Sequence, residues 1–343
     1  MTDSESDDER AGDARRSGEV DAATLLGEAH ETFEDALDGE TAVPVAVVGS
    51  PFAGREFVLE AAVERLDATR IRFEAADGPP TGSDALDAVG DALESGPVVV
   101  EDCQHLYRRT VGGFEALEEF LDLIASADVP VATGWNRYAW TYLAAVRGID
   151  RSFRHRFDVG PVATDRLAEL LLSRYDEMPT FVSETTETER PVTLRRREVG
   201  WNDLAITVPL PSVTLPIGRD SSDESIDARD VVFERLAAVS QGNLGVATSL
   251  WESLHSGELR PSDVVAAGGD VDLDRDEAFC LRIVLSKERV AREELTDVLG
   301  VSPDRILGRL DREGLVTVRE GLVRLDPAAV PTITDATESR RIP

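Results

Sequence analysis

The residues whose types and spacing could do phosphate chemistry lie at positions 45–56. An apolar run ends at Gly49, four residues separate it from Gly54, and a helical pattern follows. In a phosphate-binding loop of this form, the backbone amides and the helix N-terminus hold the phosphates. A lysine reaches the outer phosphates, and a Ser or Thr hydroxyl holds magnesium. The candidate phosphate-binding residues are Gly49, Ser50, Pro51, Phe52, Ala53, Gly54, Arg55 and Glu56.

Two of these residues depart from that chemistry. Arg55 stands at the lysine position, and its planar head does not substitute freely for a compact ammonium. Glu56 stands at the hydroxyl position, where it removes the magnesium ligand and adds an anion beside the phosphates. We therefore expect the loop to keep its architecture but to be damaged as a catalyst, with Glu56 the more serious change.

Three further candidates follow apolar runs. Glu101 and Asp102 end the run at 98–100. Paired carboxylates there can hold magnesium, with Glu101 the metal candidate, and can polarise an attacking water. Asn136, after the run at 129–133, is the candidate for sensing a terminal phosphate at the carboxyl edge of a sheet. The alternatives are a strand end that enters solvent with two acids, and a loop asparagine beside packing aromatics.

No other catalytic or metal-binding pattern stands out. Cys103 and Cys280 are too few and too far apart for a disulfide framework or a zinc site, and the four histidines show no ligand spacing. We expect no structural metal. No run reaches the about 20 apolar residues that a membrane helix needs, and the acidic start is unlike a signal peptide. These features predict a cytoplasmic protein without a membrane partner.

Alternating strand and helix patterns must position the candidate residues. The near-continuous apolar runs are typical of parallel strands buried on both faces. Helical stretches separate them, which predicts right-handed crossovers and a three-layer α/β domain with a parallel sheet. The predicted strands cover residues 43–48, 70–74, 98–100, 129–133 and 157–159, and the predicted helices cover 56–66, 85–93, 113–126 and 140–147.

Changes in composition predict the domain boundaries. A segment rich in Pro, Ser, Thr and Glu at 177–228 reads as an insertion in a helical lid, with strand-like pieces at 192–195 and 205–210. The predicted units are a disordered acidic tail at 1–20, the α/β domain at 21–162, the lid at 163–270, a C-terminal unit at 271–330 and a tail at 331–343.

The C-terminal unit has the pattern of a winged helix-turn-helix. Three helices are predicted at 277–285, 292–299 and 303–313, and two short strands at 315–319 and 322–325. The candidate DNA-binding residues are Arg305, Arg309, Arg312 and Arg319, of which the first three share one helix face. The alternative is that these arginines pair with nearby acids and that the unit contacts a protein partner.

The charge balance bears on the choice of partner. The chain has 36 Lys and Arg against 67 Asp and Glu, a net charge of −31, and Lys287 is its only lysine. Such an excess of acid predicts a salt-accumulating cytoplasm and argues against non-specific binding of nucleic acid by the whole chain. Residues 272–326 hold 13 acids and 10 bases, a net charge of −3, so the C-terminal unit is nearly neutral.

These motifs together resemble those of AAA+/STAND-type P-loop ATPases, especially archaeal, here haloarchaeal, ones with a C-terminal winged helix. The resemblance covers roughly residues 25–329 apart from the insertion. The family's Walker lysine and hydroxyl positions match Arg55 and Glu56, and its Walker B acids match Glu101 and Asp102 in reversed order. The segments that carry the resemblance are 49–56, 98–102, 129–136, 152–157 and the Gly-Asn turn at 240–247.

The resemblance implies ATP or ADP with magnesium at the interface of the α/β domain and the lid, and it leaves oligomer formation open. Three functions follow. The first is an ATP-binding regulatory protein that couples its nucleotide to the C-terminal unit. The second is a pseudo-ATPase scaffold or DNA-binding adaptor that binds no nucleotide. The third, an active ATPase of a replication or repair assembly, is disfavoured by Arg55 and Glu56, because phosphoryl transfer depends on charge neutralisation there.

Overall fold

The computed structural model describes residues 20–39, 43–75, 83–174, 178–183, 227–254, 257–269 and 271–338. The expected tail at 1–20 lies almost entirely outside this part of the chain. So does most of the insertion at 177–228, including both of its strand-like pieces.

A five-stranded parallel sheet forms the first unit, in the order β2-β3-β4-β1-β5. The three central strands β3, β4 and β1 are buried along their whole length, as their apolar runs predicted. The prediction of a parallel α/β sheet is therefore confirmed. The strands are β1 Val45–Gly49, β2 Thr69–Arg72, β3 Val98–Glu101, β4 Val131–Asn136 and β5 His155–Asp158.

Helices cover both faces of this sheet. Successive residues of a strand point to opposite faces, so Val45 and Val47 belong to one hydrophobic core while Ala46 and Val48 belong to the other. The result is three layers. The helices of this unit are α1 Ala22–Leu26, α2 His30–Leu37, α3 Arg55–Leu66, α4 Ser83–Ser95, α5 Glu115–Ala125 and α6 Arg137–Arg147.

A helical lid follows. Its helices are α7 Thr164–Leu172, α8 Ala228–Ser240 and α9 Leu244–Leu254, and a short parallel pair joins β6 Thr180–Phe181 to β7 Glu258–Leu259. Phe181, Phe233 and Trp251 pack together with ring centroids 5.1–6.4 Å apart, which fastens the strand pair to the helices.

The C-terminal unit consists of three helices and a three-stranded antiparallel sheet in the order β8-β10-β9. Asp274 and Glu277 form a capping box at the start of its first helix. The sequence predicted the three helices and two of the strands, but not β8. The elements are α10 Arg275–Lys287, β8 Arg289–Ala291, α11 Arg292–Leu299, α12 Asp304–Arg312, β9 Val316–Arg319 and β10 Leu322–Leu325.

The chain ends differently from the expected tail at 331–343. A helix, α13 Val330–Glu338, covers most of that stretch and packs against α10. Ile333 and Thr337 are fully buried there, and Tyr138 Oη lies 3.1 Å from Thr334 Oγ1. The apolar residues of α13 stand at helical spacing but are too few to stand out in the sequence. They are buried against the core that α10 helps to form. Within the described ranges, no helix has the length and apolar content needed to cross a membrane.

Candidate functional site

The phosphate loop, residues 49–56, has the strand-loop-helix course that the sequence predicted. β1 ends at Gly49 and α3 begins at Arg55. Between them, Ala53 N donates to Ser50 O at 3.1 Å, which tightens the turn. Gly54 has φ +93°, and a Cβ placed there would lie 3.2 Å from Leu25 Cδ1, so only glycine suits this position.

The helical unit that the sequence predicted as a lid contacts this loop at two backbone carbonyls. Gly245 N donates to Phe52 O at 2.9 Å, and Asn243 Nδ2 donates to Pro51 O at 2.8 Å. The Asn243 Oδ1 atom also accepts from Val246 N at 3.2 Å and so caps the first turn of α9. The Gly-Asn turn at 240–247 therefore holds two carbonyls of the phosphate loop.

Arg55 is buried and bonded to two carboxylates. Its Nη2 donates to Asp102 Oδ1 at 2.9 Å and its Nη1 donates to Glu288 Oε1 at 2.6 Å. Burial alone would lower the pKa of Arg55, but Glu288 and Asp102 raise it above its usual value, so the guanidinium stays charged. Arg55, which the resemblance places at the lysine position, is thus an ion-pair partner of the protein's own acids.

Glu101, the metal candidate, is also occupied by arginines. Its side chain is 3% exposed, its Oε1 lies 2.6 Å from Arg70 Nη2, and its Oε2 accepts from Arg72 Nε at 2.6 Å. Arg70 and Arg72 come from the neighbouring strand β2, whose residue Arg72 pairs in register with Glu101. Both oxygens of this carboxylate therefore face cations of the chain itself.

Asp102 stands at the centre of the site. Its backbone has φ +56°, a left-handed conformation that turns the chain sharply after β3. Oδ1 accepts from Arg55 and from Gln104 Nε2 at 2.9 Å, and Oδ2 accepts from Arg289 Nη2 at 3.1 Å. Burial would raise the pKa of Asp102, but Arg55 lowers it below its usual value, which keeps the carboxylate ionised.

Asn136 ends β4, which lies between β3 and β1 in the sheet. Its Oδ1 accepts from Tyr138 N at 2.9 Å and so caps α6. Its Nδ2 donates to Leu285 O at 3.0 Å and to Glu288 Oε1 at 2.9 Å. The fully buried side chain thus both starts a helix and binds the C-terminal unit.

Three consecutive residues at 287–289, which we call the interdomain tripeptide, reach into the α/β unit from the end of α10. Lys287 Nζ donates to Tyr107 O at 2.6 Å. Glu288 binds Arg55 and Asn136, and Arg289 binds Asp102. Sequence reasoning missed this tripeptide, although one signal was present: it holds the only lysine of the chain.

Lys287 is 1% exposed, and its Nζ lies 2.7 Å from Glu294 Oε1. Burial lowers the pKa of Lys287 while Glu294 opposes that shift. Beside it, His105 is 3% exposed, and burial lowers its pKa to about 3. The His105 Nε2 atom has no hydrogen-bond partner within the described ranges.

A cavity of about 440 Å³ opens between the phosphate loop and the C-terminal unit. Glu56 lines it, and desolvation there raises the pKa of this carboxyl. Four acids and four arginines are among its lining residues. The lining residues are Phe52, Arg55, Glu56, Leu59, Arg72, Glu101, Asp102, Glu288, Arg289, Arg324 and Leu325.

The four DNA-binding candidates fall into two groups. Arg305, Arg312 and Arg319 are exposed. Arg309 instead pairs with Glu277, with its Nη1 2.7 Å from Oε2, and donates through Nη2 to Asp272 O at 2.8 Å. Helical spacing predicted that Arg309 shares a helix face with Arg305 and Arg312. In the structure, Arg309 binds Glu277, a buried acid at the start of α10.

The residues around the phosphate loop do not fit a magnesium nucleotide. Both Glu101 and Asp102 have their oxygens in ion pairs with arginines, and Glu56 stands in place of the hydroxyl. Both terminal nitrogens of Arg55 donate hydrogen bonds to carboxylates of the chain. In the part of the chain that the structure describes, no group of three or more His, Cys, Asp or Glu side chains is placed to hold a metal ion.

Comparisons with known proteins find similarity only in the path of the backbone, among solved structures. No protein-family model matches the sequence, and no curated protein matches it. The chain is similar to the Thermotoga maritima RuvB Holliday junction branch migration motor, at 13% identity and a TM-score of 0.41, covering 91% of this chain and 97% of that one. It is similar to the FIGL-1 AAA domain in complex with ADP, at 14% identity and a TM-score of 0.35, covering 46% and 61%. At these values neither structure assigns an activity to this chain.

Proposed function

We propose that this chain is a relative of AAA+/STAND ATPases that does not hydrolyse nucleotide and serves as a scaffold for its C-terminal unit. One observation carries the proposal: the chain's own arginines neutralise both acids at the end of β3. Magnesium binding or activation of water would require Glu101 to leave Arg70 and Arg72, and Asp102 to leave Arg55 and Arg289. Because the two carboxylates are only 3% and 12% exposed, leaving them without their cations is costly.

A second candidate is the regulatory protein that binds ATP without hydrolysis. The observation that favours it is the direct contact of Arg55 and Asn136 with Glu288, since a nucleotide phosphate at these groups would alter the hold on the C-terminal unit. The two candidates differ in whether the wild-type chain binds nucleotide.

For either candidate, we propose that the C-terminal unit is a winged helix and that it binds the partner. Three helices and a three-stranded antiparallel sheet support it, together with the exposed Arg305 and Arg312 on α12 and Arg319 at the end of β9. DNA is the proposed partner, with an acidic protein surface as the alternative. We also propose that the protein works in a cytoplasm of high salt, because its net charge is −31.

The test of the first candidate is ATP turnover in molar KCl with magnesium. We expect wild-type release of phosphate at the buffer rate, and no change in Glu101→Gln. The matched control is Glu60→Gln, since Glu60 also pairs with Arg70 but is half exposed. Turnover that Glu101→Gln abolishes and Glu60→Gln preserves would show that the chain is an ATPase.

Nucleotide binding separates the two candidates. A thermal midpoint that does not move with millimolar ATP or ADP supports the scaffold, whereas a rise that depends on nucleotide concentration supports the regulatory protein.

The partner is tested with the double variant Arg305→Ala/Arg312→Ala. If the winged helix binds DNA, this variant should bind more weakly and with a smaller salt slope than wild type. The control is Arg260→Ala, an exposed arginine on the lid. Equal DNA binding by all three proteins would exclude α12 as the contact.

A further inference from the structure

Two donors of the α/β unit converge on one oxygen of the C-terminal unit. Arg55 Nη1 lies 2.6 Å from Glu288 Oε1, and Asn136 Nδ2 lies 2.9 Å from the same atom. Arg55 follows β1, Asn136 ends β4, and these strands are neighbours in the sheet. The donors are therefore fixed by the fold, and the acceptor is brought to them by the end of α10.

The backbone of Glu288 is strained. It has φ +63° and ψ −38°, in a region that side chains rarely adopt. Such a conformation persists where surrounding contacts fix it, and the neighbours Lys287 and Arg289 bind the α/β unit on either side. Glycine would suit this backbone conformation better. The chain has glutamate there instead, which places a carboxylate at this point.

An arginine fork and an amide N–H recognise carboxylate and phosphate oxygens by the same charge-assisted hydrogen bonds. We propose that Arg55 and Asn136 form an anion site that the chain fills with its own Glu288, an internal ligand that excludes phosphate-bearing molecules. Glu288 stands here for an external oxyanion of the pyrophosphate class. The inference goes beyond the proposed function, which concerns turnover, and does not depend on it.

Tethering makes the internal ligand effective. A group held on the same chain competes at a local concentration of about millimolar or more, so a free anion must exceed that level before it displaces Glu288. Asp102 and Glu56 add negative charge around the site and act in the same direction. Displacement would also break the contact between Glu288 and the α/β unit, so anion binding would remove one of the contacts that hold the C-terminal unit.

The experiment measures pyrophosphate binding by titration calorimetry in molar KCl without nucleotide. Glu288→Gly removes the carboxylate and relieves the backbone, so the variant is expected to fold. We expect it to bind pyrophosphate about tenfold or more tighter than wild type. Glu74→Ala is the matched control, because it removes a carboxylate that pairs with Arg289 at 3.5 Å but does not touch Arg55 or Asn136. It should bind as wild type does.

Two results would overturn the proposal. One is equal pyrophosphate affinity in wild type and Glu288→Gly, and the other is an equal gain in Glu74→Ala, which would reflect net charge alone. The double variant Arg55→Met/Glu288→Gly should lose the gain, since it lacks the main donor. Should Glu288→Gly fail to fold, Glu288→Gln keeps the side-chain shape without its charge and should show a smaller gain in the same direction. The two proposals are tested separately, since ATP turnover by the wild type tests the proposed function and the pyrophosphate affinities of wild type and Glu288→Gly test this inference.

Discussion

Arg55 and Glu288 lie 233 residues apart in sequence, yet Arg55 Nη1 donates to Glu288 Oε1 at 2.6 Å. Both side chains are largely buried, at 7% and 13% exposed. A shielded pair of this kind is expected to be strongly coupled, since little solvent screens it. The contact also ties the start of α3 to the end of α10, and so joins the phosphate loop to the C-terminal unit.

A double-mutant cycle tests that coupling. Arg55→Met leaves Glu288 buried without its cation and removes one of the arginines that bind Asp102, so it should lower the free energy of unfolding by about 3–5 kcal/mol. Adding Glu288→Gln should recover part of this loss, with a coupling energy of about 2 kcal/mol. Denaturation at fixed KCl concentration measures both values.

The control for this cycle is the pair Arg65 and Glu34, whose Nη1 and Oε1 atoms are also 2.6 Å apart but whose side chains are about a third exposed. Its coupling should not be resolvable. Similar coupling for the two pairs would mean that burial does not strengthen the interdomain contact.

Lys287→Arg is expected to destabilise the protein although it conserves charge. The Lys287 ammonium fits between Tyr107 O and Glu294 Oε1 in a space closed to solvent. A larger guanidinium must displace its neighbours, at a cost of about 1–3 kcal/mol. Chemical denaturation measures the loss, and the reverse exchange Arg65→Lys at a partly exposed position serves as the control. Wild-type stability of Lys287→Arg would show that the pocket does not select lysine.

Acid should destabilise the protein through His105. Its pKa is about 3, against 6.5 ordinarily, because burial and the nearby Lys287 disfavour the imidazolium; Arg289 and Arg55 act in the same sense, and Asp102 opposes them. The unfolded chain then binds more protons between these values, so the stabilisation is complete above about pH 6.5 and is lost as the pH falls toward 3.

The expected loss between pH 7.5 and pH 5 is about 2 kcal/mol. His105→Gln should flatten stability over that range, whereas His30→Gln, a change at a partly exposed helix position, should leave the slope intact. Unfolding midpoints measured across this range decide the matter. An unchanged slope in His105→Gln would place the acid sensitivity elsewhere.

Gly245→Ala should loosen the lid. A Cβ at this position would lie 2.5 Å from Phe52 Cβ and 2.6 Å from Phe52 O, and would push α9 away from the phosphate loop. We expect destabilisation by about 1–3 kcal/mol and faster amide exchange at Gly245. Gly90→Ala is the control, because that helical glycine has no atom within 4 Å of the added Cβ, so the change should be neutral or stabilising by up to about 1 kcal/mol.

Arg309 and Arg305 should behave differently, although both were candidates for DNA contact. Arg309→Ala leaves Glu277, which is 5% exposed, without its ion-pair partner and should lower the thermal midpoint. Arg305→Ala removes an exposed side chain and should leave the midpoint unchanged. Scanning calorimetry of the two variants compares them directly. Equal midpoints would mean that the contact with Glu277 contributes nothing to stability.

Local pattern was enough to determine the main elements of this protein. Apolar runs predicted the three central strands β1, β3 and β4, because a strand buried on both faces is composed mainly of apolar residues. The edge strands β2 and β5, which are mostly exposed, were predicted within one or two residues of their bounds. Gly49, Gly54 and the helical spacing after them predicted the strand-loop-helix course of residues 45–66, since backbone conformation there depends on neighbours along the chain. The departures at Arg55 and Glu56 were equally visible in the sequence, and a loop damaged as a catalyst stays a prediction.

Tertiary structure alone decided what those residues bind. Arg55 meets Glu288, Asn136 meets Leu285 and Glu288, and Arg309 meets Glu277, and no spacing rule connects partners so far apart. The helix α13 formed for the same reason: a weakly apolar segment gains its stability only from the core that receives it. Strands and turns follow from short-range sterics and periodic burial, whereas ion-pair partners follow from how whole units pack, which the order of residues does not encode locally.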